Sequence, residues 1–233
     1  MSMQARLPSE KAWLARLYLP SYTVSDAARY AGTHRQTVAY WHYYGGSVGP
    51  VLPGKERKKP LSYYQLVEVA FVATFRAFQV PLKNLRAAHS YFSQAFNVEY
   101  PFAQLRLKTE GFHVLKDYLE VVDDGQLRKL IAGDKYGQLG WEEMVSNRFA
   151  EFEYNDEHGI AITWHVAGRQ SPVVIDPRIS FGAPTVKGIP TWALKGRYIA
   201  GEEIQDISAD FVLEADQVAA ALRFEGVEIK QAA

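Results

Sequence analysis

The 233-residue chain contains no cysteine, which excludes a disulfide frame, a thiol nucleophile and thiolate metal sites. Its 48% of hydrophobic residues is enough for packed cores, so disorder is not expected. The zero net charge is unevenly spread: residues 1–60 hold nine Lys and Arg against three Asp and Glu, whereas residues 171–233 hold six against nine.

A basic front and an acidic rear suit a polyanion-binding head joined to another kind of module. The opening MSMQARLPSEKAWLARL lacks the apolar core of a signal peptide, and no apolar run approaches membrane-spanning length. A soluble cytoplasmic protein with no membrane partner is therefore expected.

In chain order, residues 10–18 read as a short helix ending near Pro20. Ser25 is expected to cap a helix over 26–31, and Thr33 or His34 to start a second helix reaching about residue 43. GGSVGPVLPGKERKKP reads as a loop or hairpin dense in Gly, Pro and Lys. Residues 61–78 carry apolar side chains at helical spacing, with Ser62 as cap, and Pro81 suits the first turn of a following helix. FAQLRLKTEGFHVLKDYLEVV alternates on either side of Glu110-Gly111, which predicts a β-hairpin. A helix over about 141–149 then leads to a second hairpin signal, FAEFEYNDEHGIAITWHV, with NDEHG as its turn. Beyond Val173 three helices fit, roughly 191–199, 202–208 and 214–223.

The stretch TVSDAARYAGTHRQTVAYW asks why two short helices are joined so tightly, and why the second begins with polar residues. A helix-turn-helix answers both, because its second helix enters the major groove and presents its first side chains to base edges. Ala27, Ala28, Ala31 and Val38 are then the small inward faces. Arg35 can donate two hydrogen bonds to guanine and Gln36 can pair with adenine, with Thr33, His34 and Thr37 beside them. Tyr40 and Trp41 either close the core or stack at the DNA backbone.

This segment resembles the MerR-type winged helix, through its V-S-D-A-A opening, A-G turn and T-V-x-Y-W ending. The resemblance implies a wing next, and PGKERKKP followed by LSYY looks like one, with Lys55, Arg57, Lys58 and Lys59 on phosphates, positioning rather than specifying. It also implies a homodimer on double-stranded operator DNA, since one recognition helix reads few base pairs. Ala39 stands where the family often has Arg, and the family's long coiled-coil helix is not evident.

The tail resembles the bacterial "domain of unknown function 433" family. The matching pieces are Ile175-Asp176-Pro177, Gly182 and Pro184, Gly188 and Pro190, Gly201-Glu202, Ile204, Ile207, Val218, Ala221 and Leu222, with Trp192 at a place usually aliphatic. Members commonly serve as type II antitoxins beside a PIN-like ribonuclease, and a longer VapB-like form carries an N-terminal helix-turn-helix. The chain looks like that long form. The resemblance implies a cognate PIN-like ribonuclease toxin as partner. Its clustered metal-binding carboxylates would be reached by a cation such as Arg223, near the end of the last helix, or Lys230 beyond it.

Nothing in the sequence calls for catalysis or a cofactor. The six histidines are scattered outside any H-E-x-x-H spacing, GDKYGQLG lacks the end of a phosphate loop, and there is no G-x-S-x-G. Asp123-Asp124 and Glu142-Glu143 suit caps and solvated faces.

The expected fold is α+β and mostly helical. Residues 1–80 form a winged helix-turn-helix, residues 81–170 form middle helices with β-hairpins serving dimerisation or ligand sensing, and residues 171–233 form a small helical antitoxin domain. The competing function is a stand-alone ligand-responsive transcription regulator. Its middle aromatics, Tyr91, Phe92, Phe96, Tyr100, Phe102 and Phe112, would line a pocket or form core.

Overall fold

The structure, a computed structural model, describes residues 10–45, 48–104, 146–155 and 160–229. These form two compact units: one lies between Tyr18 and Ala161, and the other joins the start of the chain, to Leu17, with Ile162 onward. The fold is α+β, helices accompanied by a small antiparallel sheet.

In the Tyr18–Ala161 unit, helix α2 (Val24–Tyr30) begins two residues earlier than expected. The cap is Thr23, not Ser25. Thr23 Oγ1 accepts the Asp26 N–H at 3.0 Å while Asp26 accepts the Thr23 N–H at 3.0 Å, so one pair satisfies two orphan donors. Ser25 falls inside the first turn. Gly32 takes φ +66, which L side chains adopt rarely, and α3 (Arg35–Tyr43) follows with His34 as cap. The expected inward faces are buried, Ala27 and Val38 completely and Ala28 and Ala31 nearly so. Trp41 is buried with them, whereas Tyr40 is exposed and stacks on Tyr44 at 5.8 Å.

Residues 48–60 run as turns and bends rather than the hairpin allowed by the sequence. The chain is instead anchored at both ends. Tyr22 and Leu61 form an antiparallel bridge, and the Leu52 N–H donates to the Trp41 carbonyl at 3.0 Å.

Helix α4 (Tyr63–Ala77) is capped by Ser62 with Gln65 completing the box, and twelve of its fifteen residues are buried. A helix buried all round is a central one, and α4 packs against α2 and against α6 (Pro101–Gln104). Helix α5 (Leu82–Phe96) starts at Pro81 and ends at Asn97 in the left-handed conformation. Phe102, Ala103 and Gln104 are therefore helical, not strand, and the rest of that expected hairpin lies outside the described residues. Residues 146–150 are helical, and Phe149 and Phe152 both pack on Phe71. Strand β1 (Phe152–Tyr154) closes on the Ile160 carbonyl through the Asn155 N–H.

The other unit contains α1 (Glu10–Arg16), β2 (Ala161–Trp164), β3 (Val174–Ile175), β4 (Pro184–Val186) and β5 (Ile189–Pro190), the strands pairing antiparallel in chain order. The tail is thus not purely helical: Val174 and Ile175 pair with Thr185 and Pro184, and Val186 with Ile189. Three helices follow, α7 (Thr191–Ile199), α8 (Ile204–Phe211) and α9 (Ala215–Phe224). They bury one apolar cluster of Val173, Val186, Leu194, Ile207, Leu213, Val218, Ala221 and Leu222. No helix among the described residues is long and apolar enough to cross a membrane.

Candidate nucleic-acid interface

The polar start of α3 reaches the surface because the helix is amphipathic only on its inner side. His34, Arg35, Gln36 and Tyr40 are exposed, and Thr33 and Thr37 are half-buried. A groove of about 350 Å³ runs beside this helix, lined by Arg35, Ala39 and Tyr43, by residues 23–25, and by Lys55, Lys58, Lys59 and Pro60. Two segments twenty residues apart in sequence therefore share one cationic surface. Gln36 and Tyr40 lie outside that lining, in the first and second turns of α3 on its exposed face.

The four basic residues of the loop have different surroundings. Lys55 Nζ donates to the Glu56 carbonyl at 3.0 Å and also to the Lys59 carbonyl, and it sits 5.6 Å from the centre of the Tyr43 ring. Arg57 approaches that ring too, at 5.7 Å. Lys59 pairs with Glu56 at 2.7 Å. Lys58 stands exposed at the tip with φ 67. Lys55 thus braces the loop against α3, and Arg57, Lys58 and Lys59 are exposed, Arg57 against the Tyr43 ring and Lys59 beside Glu56. Tyr43 organises the loop; sequence reasoning passed over it because its partners lie 12 and 14 residues away.

His42 does related work inside. Its Nδ1 lies 3.0 Å from the Leu52 carbonyl, to which it donates, and burial lowers its pKa to about 4, the Leu52 bond opposing and Lys55 reinforcing. The ring is neutral at ordinary pH, and it ties the end of α3 to the chain entering the basic loop.

Deeper in the same unit, buried Glu68 accepts the N–H groups of Phe102 at 2.7 Å and Ala103 at 3.1 Å. Its other oxygen lies 3.0 Å from His89 Nε2. This carboxylate fixes the start of α6 beneath α5. Of the aromatics considered for a sensor pocket, Phe92, Tyr100 and Phe102 are buried, Tyr91 and Phe96 are half exposed, and Phe112 lies outside the described residues. The groove beside α5, about 370 Å³, is lined by Pro53, Gly54, His89, Ser90, Ser93, Gln94 and Glu99.

In the tail unit, Asp176 of the Ile-Asp-Pro motif is buried and fully engaged. Arg178 grips it through Nε at 2.9 Å and Nη2 at 2.6 Å, and the Arg178 N–H adds a bond at 2.8 Å. Its role is to hold the turn after β3. Arg197 bridges Glu202 and Asp210, the latter at 2.7 Å, and holds the Glu202 carboxyl below its ordinary value. Arg223 is exposed in the last turn of α9, and Lys230 lies outside the described residues. Among the described residues no cluster of three His, Asp or Glu is placed to hold a metal.

Comparison with known proteins adds three findings. The family described as "Protein of unknown function (DUF433)" matches residues 173–224, the segment whose Gly and Pro spacing carries the tail resemblance. The chain is 23% identical over 228 residues to the Mycobacterium tuberculosis (strain ATCC 25618 / H37Rv) protein named "Putative antitoxin VapB45", covering 89% of this chain and 94% of that protein. The X-ray crystal structure of Rv2018 from Mycobacterium tuberculosis shares the fold, with a TM-score of 0.68 and 22% identity over 88% of this chain and 98% of that one.

Proposed function

We propose that the chain is the antitoxin of a type II toxin–antitoxin pair, binding operator DNA through its head and neutralising a PIN-like ribonuclease through its tail. The observation that carries the DNA half is the shared cationic groove of Arg35 with Lys55, Lys58 and Lys59. In this reading α2 and α3 form a MerR-like helix-turn-helix. Arg35 and Gln36 meet base edges, with Thr33, His34, Thr37 and Tyr40 flanking them. Arg57, Lys58 and Lys59 lie on phosphates, and Lys55 holds the loop that carries them.

The likeness to a protein named as an antitoxin, running along nearly the whole of both chains, supports the other half. Labour is divided between a DNA-binding segment, residues 1–80, and a toxin-binding segment, residues 171–233. Residues 81–170 serve dimerisation, which sets two recognition helices on half-sites about 34 Å apart. The protein acts by binding rather than by catalysis.

The test uses the full chain. A gel shift with the DNA upstream of its own gene should give a sequence-specific complex. Co-expression with the nuclease encoded beside that gene should restore growth. A chain that neither shifts its upstream DNA nor relieves the nuclease is not an antitoxin of this kind.

A further inference from the structure

The tail unit presents an apolar groove bounded by carboxylates. It holds about 1010 Å³ and opens among the end of α7, the start of α8 and the first turns of α9. Ile199, Ile204, Ala219 and Val227 give it an apolar floor, Glu203 and Asp216 line it beside them, and Glu202, already held by Arg197, completes the lining. Ile204 and Val227 lean on the core cluster, but Ile199 is 66% exposed. No Lys or Arg lines the groove, and residues 200–229 carry eight Asp and Glu against Arg223 alone.

We propose that this groove docks a cationic amphipathic segment of a protein partner, namely the ribonuclease of the reading above. The inference deepens that reading and rests on it. The sign of the charge decides the class of partner. A nucleic acid or an anionic membrane surface would be repelled by the carboxylates. A wholly apolar segment would cover Glu203 and Asp216 without pairing them, at a desolvation cost. A segment with Lys or Arg on one face and aliphatic residues on the other satisfies both the rim and the floor. An enzyme that cleaves RNA has to offer a positive surface to phosphates, so a carboxylate-lined groove seated there would exclude the substrate as it binds. This contact is opposite in sign to an Arg223 contact with the toxin's acids, so the two are separable by mutation.

The experiment has two arms, both with the full chain. In the first, a fluorescent peptide of about 18 residues, helical with Lys on one face and Leu on the other, is titrated by anisotropy. A matched peptide with Glu replacing Lys is the control. The wild type should bind the Lys peptide and not the Glu peptide. Glu203→Gln with Asp216→Asn should weaken that binding roughly tenfold and flatten its salt dependence. Ile199→Ser should weaken it with the salt dependence kept. All three positions are exposed, and thermal melts of the variants should match the wild type. Equal binding of both peptides, or no loss in either variant, overturns the groove.

In the second arm the nuclease encoded beside the gene is the probe, and the same variants should lose affinity for it. Retained affinity in both variants overturns the ribonuclease as occupant. If the wild type binds the Lys peptide as expected but never binds the nuclease, the antitoxin reading fails and with it this occupant, while the groove's preference for cations stands. Self-association of the chain that disappears in the Glu203→Gln, Asp216→Asn variant would make a second copy the occupant and overturn the assignment.

Discussion

The head and the tail each carry a pair of short helices joined by a tight turn, and they face opposite kinds of surroundings. In the head, α2 and α3 are separated by a turn in which Gly32 supplies the left-handed residue. In the tail, α8 and α9 are separated by three residues, of which Val212 takes φ 54. The second helix of the head opens with Arg-Gln-Thr beside a lysine loop, and that of the tail opens with Ala-Asp-Gln behind a Glu214 cap. Under the proposed reading, similar backbone punctuation would serve two purposes, and the side chains at the start of the second helix would separate them. A helix pair alone does not identify a DNA reader; the proposal for the head rests on its first-turn charges and those of the nearest loop.

The two pairs are also supported differently. The tail pair stands on a cluster that is apolar throughout. The head pair rests on α4, whose buried face includes Glu68, and is tied to its loop by a buried neutral histidine. The head should therefore be fragile where the tail is not, and this asymmetry can be broken by single substitutions. The largest effect is expected from Glu68→Ala, which removes the acceptor of the buried Phe102 N–H, leaves the Ala103 N–H only the Tyr100 carbonyl at 3.1 Å, and takes from His89 its carboxylate neighbour. The loss of stability should be about 3–5 kcal/mol. Hydrogen exchange on the intact chain should show accelerated exchange in α4 and α5 and unchanged protection in α8 and α9. Equal loss in both sets would show that the units do not differ as argued.

Acid should act on the same contrast. Because the folded state holds His42 near pKa 4, against an ordinary 6.5, the unfolded chain binds the extra proton between those values. Stability from this group is complete above about pH 6.5 and declines as pH falls toward 4. The change is on the order of 3 kcal/mol. Denaturant melts of His42→Gln should lack this contribution, with a shallower fall across that window. A wild-type curve as flat as the variant's would mean that His42 is not buried neutral.

How much of this was legible in the sequence depended on the range of the interaction. The Ser62 cap, the helix after Pro81, the small inward faces of α2 and α3 and the three tail helices follow from neighbours a few residues apart, and they were readable. The start of α2 was readable as well, since Thr23-x-x-Asp26 is itself a capping pattern, but Ser25 competed for the role. Strands β3 and β5 have two residues each, too short for alternation to register, so the tail read as helical. Glu68 was invisible as a structural centre because the amides it satisfies lie 34 and 35 residues onward. The cationic groove is partly legible: residue type marks its cations, but Tyr43 as organiser of the loop and Lys55 as its brace depend on the folded chain.

On DNA, the head and tail should separate cleanly. Arg35→Ala or Gln36→Ala should cost about 1–3 kcal/mol on the preferred operator and relax base preference at the positions they read. Asp216→Asn in the tail should leave the same gel shift unchanged. If Arg35→Ala leaves affinity unaltered, α3 is not the reading helix, and the contrast between the two helix pairs rests on charge without function.

The smallest expected effect concerns the basic loop, where the structure predicts an inequality between neighbours. Lys58 is exposed at the tip, whereas Lys59 already pairs with Glu56 at 2.7 Å. A phosphate would have to compete with that carboxylate for Lys59 but would find Lys58 unopposed by it. Lys58→Ala should therefore weaken all DNA sequences alike and reduce the slope of log affinity against log salt by about 0.9. Lys59→Ala should reduce it by less, and removing the Glu56 carboxylate with Glu56→Gln should raise the contribution of Lys59 toward that of Lys58. Binding titrations of the three variants across a range of salt, on operator and on random DNA, measure this directly. A Lys58→Ala variant that lost affinity on operator alone would place Lys58 at base edges, and the loop would then be reading sequence together with α3.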